Sequence, residues 1–338
     1  MTGKRYRHVF LFTGQGAQYH GMARALYASE PVFRKWMDEL DLIPRKKISI
    51  SIVNFLYGEQ GKDRPGFDRT LISHPALFMV QFSLAKTLIH HGVNPDCLMG
   101  ASLGEYISMA LAGVLPPDTM LAALIDNAQI LETCCPPGTM IGVSDSFRRF
   151  EQHPEFYDNC SLAGIISPGQ FLVSGFKPDM ERVMQYLKET KTGFQHLPIR
   201  FGFHSPNIDG AEAVWKKRLT AIVKASGGFT RPDIKAVSCC TASYIMTPSI
   251  DLLWNIGRAP IEFRQALITL NGELERQAEA FGPSPEPVKL IDLGPGSYSS
   301  GFIRQNRIFG KGVRICRIMT LFGNETRNLN KLKTELIP

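Results

Sequence analysis

Residues 97–107 read Cys-Leu-Met-Gly-Ala-Ser-Leu-Gly-Glu-Tyr-Ile. A short apolar run enters Gly100-Ala101-Ser102-Leu103-Gly104, and a second, Tyr106 to Val114, leaves it. This is the pattern of a nucleophile elbow, a sharp turn between a buried strand and a helix. Its glycines permit a strained backbone and a close strand–helix approach, and its serine hydroxyl stands at the tip. The N–H groups that open the following helix suit a developing oxyanion. The competing reading is an ordinary glycine-rich strand–helix turn. A serine is a poor nucleophile until a base takes its proton. Of the eight histidines, His90 and His91 end an apolar run, where imidazoles cap carbonyls, and His20 and His153 read as exposed. His204 lies in Arg200-Phe201-Gly202-Phe203-His204-Ser205-Pro206-Asn207, an aromatic and glycine segment that Pro206 keeps out of helix. A histidine beside aromatics is more often structural, so its residues alone make His204 a candidate and no more. The hydrolase order of serine, acid, histidine would ask for Asp118 or Asp126 as the acid. Neither has supporting context.

The elements that must hold these residues follow from periodicity and punctuation. His8 to Thr13 reads as a strand, Gly14-Gln15-Gly16 as a loop, and Gln18 to Ser29 as a helix. Ser73-His74-Pro75 reads as an N-cap with proline at the first helical position, opening a helix through Leu88 that ends at His91-Gly92. With the strand that delivers Ser102 and the run after it, Leu71 to Val114 is helix–strand–helix, the unit of a parallel α/β sheet. The texture changes at Pro136-Pro137-Gly138. Beyond it come a strand (139–143), a short helix (146–156), two strands (161–166 and 170–174) around Ser167-Pro168-Gly169, a helix (178–191) and a strand (194–199). That βαββαβ order suggests a ferredoxin-like insertion. The expected division is 1–136 with 201–338 as one α/β unit and 137–200 as the insertion. Lys289 to Leu293 reads as a buried strand entering Gly294-Pro295-Gly296, and Gly58–Gly66 and Gly282–Pro287 read as surface loops.

The 338 residues suffice for a large core. The longest apolar stretch, Tyr106 to Ile125, is broken by Pro116-Pro117-Asp118, so no membrane span is expected. The basic Met1–His8 leads into a strand and not into a signal sequence. Seven cysteines without C-x-x-C spacing suggest free thiols and a cytoplasmic location. A net charge of +7 permits an acidic protein partner or a phosphorylated carrier group. No dense basic block with interleaved aromatics points to nucleic acid, and no His-x-x-x-His or paired Cys-x-x-Cys points to a metal. Gly294-Pro295-Gly296 lacks the third glycine of a dinucleotide fingerprint.

Four motifs occur in order: Phe12-Thr13-Gly14-Gln15-Gly16-Ala17-Gln18-Tyr19, Gly100-Ala101-Ser102-Leu103-Gly104-Glu105, Phe203-His204-Ser205-Pro206 and Leu293-Gly294-Pro295-Gly296. With Ser167-Pro168-Gly169-Gln170 and Ala259-Pro260-Ile261 they resemble the acyltransferases of fatty-acid and polyketide synthesis, the malonyl-CoA:acyl-carrier-protein transacylases and their relatives. The resemblance implies an α/β-hydrolase-like large subdomain, a ferredoxin-like small one and a cleft between them. It implies a Ser102–His204 dyad whose imidazole is oriented by a backbone carbonyl, which would explain the missing acid. The N–H groups of Gln15 and Leu103 would hold the oxyanion. The acyl group would arrive on the phosphopantetheine of an acyl carrier protein or coenzyme A, and no cofactor of the protein's own is implied.

The chain departs from the malonyl-selective pattern at the acyl pocket. Aligned on Gly113, the arginine that would fork onto a malonyl carboxylate is Asn127. No lysine or arginine occurs from Thr87 to Phe147. Ala101 replaces the histidine often found before the nucleophile, Ile166 the asparagine before Ser-Pro-Gly-Gln, and Glu262 the polar residue of the C-terminal third. Phe201 completes the expected pocket, and Arg200 and Arg264 are the candidate substitutes for the lost arginine. The segment Phe67–Ile107 looks most like free-standing acyl hydrolases that clear stalled polyketide chains in trans. The alternatives are a transacylase for malonyl or a non-carboxylated unit, and a non-catalytic carrier-binding module.

Overall fold

The computed structural model describes residues 5–58, 66–282 and 286–336; most of the two expected surface loops lies outside them. Nine strands follow in chain order: β1 (His8–Phe12), β2 (Cys97–Gly100), β3 (Gly138–Val143), β4 (Ser161–Ser167), β5 (Gln170–Phe176), β6 (Phe194–His196), β7 (Lys235–Ser238), β8 (Val288–Asp292) and β9 (Val313–Arg317). Five form a parallel sheet in the order β7-β2-β1-β8-β9. Every residue of β2 and β8 is buried, as expected of parallel strands covered on both faces. The other four form an antiparallel sheet in the order β4-β5-β3-β6. With its two helical crossings this is the ferredoxin-like arrangement.

Register puts the site where the sheet can use it. Phe12 pairs with Gly100 and Gly100 with Ser238, so β1, β2 and β7 end level. Ligands of open α/β sheets bind beyond these carboxyl ends. The two sheets are joined through the segment after Ala259: Ile261 N–H donates to Ala163 O at 2.9 Å, and Ile165 N–H to Ile261 O at 2.8 Å. Asn306 adds a side-chain tie, its Nδ2 donating to Ile166 O at 2.8 Å.

Several element boundaries differ from the sequence reading. The helix containing Ser73 spans Thr70–His90, so Ser73-His74-Pro75 lies inside it and Arg69 is the cap. The Arg69 carbonyl takes the N–H groups of Ile72 and Ser73, which starts the helix a turn earlier. Pro75 therefore lies inside the helix, as its sixth residue, where its ring leaves the Leu71 carbonyl without the N–H of the regular ladder. The Gln18–Ser29 segment is helical only over Arg24–Ser29. The expected 146–156 helix splits into Arg148–Gln152 and Pro154–Tyr157, with proline opening the second. Strand β6 is three residues long.

Candidate active site

Ser102 sits at the end of β2 with φ 53° and ψ −123°, before the helix Leu103–Leu111. A non-glycine residue held there stores on the order of 1–3 kcal/mol of strain. The surroundings impose it. Ala101 N–H donates to Phe12 O at 3.1 Å, and Gly104 N–H donates back to Ala101 O at 2.9 Å. A Cβ on Gly100 would collide with the Gly104 backbone, and one on Gly104 with the Phe12 carbonyl. Both glycines are therefore required for the helix to start this close to the sheet.

His204 reaches the same point from the other side. Its φ is 58°, and its N–H is held by Gly257 O at 2.8 Å. Its Nε2 lies 2.9 Å from Ser102 Oγ and its Nδ1 2.8 Å from Ala259 O. A carbonyl only accepts, so Nδ1 carries the proton and Nε2 is free to accept from the serine hydroxyl. Burial lowers the imidazole pKa to about 4 against the opposing pull of the Ala259 carbonyl. At neutral pH it is an uncharged acceptor. Gly14 packs the loop after β1 onto the elbow, for a Cβ there would stand 3.0 Å from Ala101 O and Ser102 Cβ. Neither the Gln15 nor the Leu103 main-chain N–H has a protein acceptor among the described residues.

These groups open on a cavity of about 150 Å³. Gln15, Ala101, Ser102, Leu103, Asn127, Ile166 and His204 all line it. The rest of the wall is mainly apolar, including Leu124, Met140, Leu172, Leu197 and Phe302. No aspartate, glutamate, lysine or arginine lines it among the described residues.

Residues 9–275 match the family model of the acyl transferase domain. The chain belongs to that family. It is 34% identical to the polyketide biosynthesis acyltransferase homolog PksD of Bacillus subtilis over 325 residues, 96% of this chain and 95% of the relative. It is 32% identical to the homolog BaeD of Bacillus velezensis, over 97% of this chain and 96% of that one. Among solved structures, a loading acyltransferase of the avermectin modular polyketide synthase superposes with a TM-score of 0.81 at 19% identity, covering 98% of this chain and all of that one. MCAT of Streptococcus pneumoniae gives 0.76 at 20%, covering 97% and 100%. These two share the fold. This acyl transferase is thus an α/β protein with the parallel and antiparallel sheets described.

Two expected pocket residues of this acyl transferase fall outside the cavity. Glu262 precedes the helix Phe263–Phe281. Successive side chains at a helix start diverge by about 100°, and here Phe263, not Glu262, faces the cleft. Phe201 is buried behind it, edge-on to Phe203 at 6.3 Å, and it is Phe203 that lines the wall. The candidate acids and arginines are occupied elsewhere. Asp126 holds Lys47 at 2.6 Å and Arg218 at 2.7 Å, and Asp118 accepts from Thr119 N–H at 2.7 Å. Arg200 forks onto Asp68, both contacts at 2.8 Å. Arg264 donates to Asn306 at 3.0 Å.

Two other histidines also differ from expectation. His91 faces the Glu30 carboxylate at 3.2 Å, and His20 packs on Phe55 and Phe67 at 5.6 and 4.9 Å. His74, read in the sequence only as part of a helix start, lines the cavity with its Nε2 3.1 Å from Gln15 Oε1. Its signal was masked because Ser73-His74-Pro75 also has the form of a helix start. The role of Ala259 rests on its carbonyl, which no side-chain pattern announces. No helix is long and apolar enough to cross a membrane, and no metal-ligand cluster occurs among the described residues.

Proposed function

We propose that this protein is a trans-acting acyl hydrolase of polyketide biosynthesis, which removes acyl groups from acyl carrier protein thioesters through an ester on Ser102. The observation that carries the reading is the Ser102 Oγ–His204 Nε2 contact of 2.9 Å beside an uncharged cavity. Ser102 Oγ attacks the thioester carbonyl carbon as its proton passes to His204 Nε2. The negative oxygen is taken by the free N–H groups of Gln15 and Leu103. Collapse breaks the C–S bond, and sulfur leaves with the His204 proton as a thiol. Water then attacks the ester and gives a proton to Nε2. Collapse breaks the C–Oγ bond, Ser102 recovers its proton, and a carboxylic acid departs. Thioester and water become acid and thiol, and the Ala259 carbonyl supports the transient imidazolium.

The reading needs no cofactor beyond the phosphopantetheine that carries the acyl group. The homologs PksD and BaeD, similar over nearly their whole lengths, support the polyketide context. The missing carboxylate partner argues against malonyl loading, since a buried carboxylate left unpaired costs several kcal/mol. We assign residues 1–136 with 201–338 to the catalytic unit and 137–200 to the small one that closes the cleft. A second reading, transfer of a non-carboxylated acyl unit to a thiol, shares the acyl-enzyme and is favoured by the family name.

Intact-protein mass spectrometry separates them. One reaction holds the protein with acetyl- and longer acyl-carrier proteins, the other with malonyl-CoA and unloaded carrier. Loss of acyl mass from the carrier, with no malonyl loading, is expected. Loading from malonyl-CoA would refute the hydrolase. Ser102→Ala is expected to abolish both deacylation and the acyl-enzyme; deacylation that survives it would remove Ser102 from the chemistry, whereas a full cellular role retained without deacylation would leave only docking.

A further inference from the structure

The loop that carries the Gln15 N–H is fastened to one helix, Thr70–His90. Gln81 Oε1 accepts from Thr13 N–H at 2.9 Å, and Gln81 Nε2 donates to Thr13 O at 3.1 Å. Seven residues earlier, on the same face of that helix, stands His74, with Ser73 beside it. Gln15 Nε2 donates to Ser73 Oγ at 2.6 Å, and Gln15 Oε1 lies 3.1 Å from His74 Nε2.

The direction of each bond is fixed by the one before. The Ser73 hydroxyl gives its proton to Arg69 O at 3.1 Å. Its oxygen must then accept from Gln15, and only the amide nitrogen can donate. The amide oxygen is left facing His74, so His74 Nε2 carries a proton. The imidazole is buried, with burial holding its pKa near 3, so it stays neutral. Its Nδ1 is therefore a bare acceptor, and it is buried without a partner among the described residues. A buried orphan acceptor works against folding. The purpose of the ring therefore lies in its other nitrogen.

We infer that His74 is a positioning residue: its Nε2–H holds the Gln15 amide, and so aims the Gln15 main-chain N–H at the carbonyl under attack by Ser102. This rests on the Ser102 acyl-enzyme proposed above, but not on whether water or a thiol attacks it afterwards.

The test follows acylation of Ser102 in the full chain by a small acyl thioester, read by rapid-quench mass spectrometry. His74→Leu removes the donor. A fall of about 10- to 50-fold in the maximal acylation rate is expected, with the half-saturating thioester concentration unchanged, less than the loss of a whole oxyanion donor. His74→Gln restores an N–H donor and should return the rate to within about threefold of wild type. Gln15→Ala keeps the main-chain N–H but leaves His74 nothing to hold. It should match His74→Leu, and the double variant should be no slower than either single one. Additive losses, or wild-type acylation by folded His74→Leu, would overturn the inference. Long-range 1H–15N NMR of the wild-type ring gives an answer that does not depend on variants folding. A proton on Nε2 and a bare Nδ1 are expected, and the opposite tautomer overturns the inference. If the wild type forms no Ser102 ester, the proposed function fails, and the ring spectrum still decides the hydrogen-bond assignment.

Discussion

The two walls of the cleft are built on different terms. One wall hangs from the parallel sheet, carries Gln15, Ser102 and Leu103 and is met by His204; its backbone is closely constrained. Ser102 is strained, Gly100 and Gly104 admit no side chain, and Thr13 is pinned by Gln81. The other wall, from the helix Pro117–Cys134 and the antiparallel sheet, is a mainly apolar set of side chains around Asn127, with Gln170 and Gln195 as its other polar members. Its members are bounded by size and polarity alone, which many residues satisfy. In the proposed reaction the first wall holds the groups that make and break bonds. In the same proposed reaction the second meets the acyl group. The helix Pro117–Cys134 makes the same contrast within two residues. Asp126 is locked to Lys47 and Arg218, whereas Asn127 faces a cavity that holds no formal charge.

The comparison is broken most directly by damaging the reactive wall alone. His204→Ala is expected to slow acyl-enzyme formation at least about a hundredfold, as for loss of a positioned base, with the substrate preference order unchanged. Near-normal acylation would remove His204 from the chemistry. The pH profile sharpens the same point. Because burial lowers the His204 pKa from 6.5 to about 4, the neutral form persists well into acid. Acylation measured as kcat/KM should hold level from pH 7 to about 5, then fall about tenfold per unit below about 4. A midpoint near 6.5 would mean that the imidazole is solvated during turnover. The smallest effect belongs to the selective wall. Asn127→Arg should raise reaction with malonyl relative to acetyl thioesters by roughly tenfold, the worth of one partly buried charge-assisted pair. Competition between the two thioesters measures it, and an unchanged ratio would show that position 127 does not read the acyl group.

The same contrast explains what could be read from the chain. The reactive wall was legible because its geometry tolerates few residues: glycine at 14, 100 and 104, serine at the tip, and proline at 206 holding the His204 segment out of helix. The βαββαβ order and the parallel strands β1, β2 and β8 were equally visible as runs bounded by turn residues, whereas β7 and β9, which carry Lys235, Arg314 and Arg317, were not read as strands. The selective wall was legible only in part. Asn127, Ala101 and Ile166 face the cavity as expected, but Glu262 and Phe201 do not. A one-residue rotation at a helix start decides between Glu262 and Phe263, and side-chain chemistry does not record it. The start of the Thr70–His90 helix was misplaced for a similar reason. Its cap is the main-chain carbonyl of Arg69, while the residues that look like a cap, Ser73 and His74, are turned to Gln15.

The segment 259–261 does two things at once. Ala259 O aims the His204 ring, and two residues later Ile261 is paired with β4 through Ala163 and Ile165. Any swing of the antiparallel sheet that widens the cleft therefore pulls on the strap that sets the imidazole. Admission of a bulky acyl arm and readiness for proton transfer are not independent variables in this architecture. The bond that orients the imidazole and the bonds that join the two sheets fall within three consecutive residues.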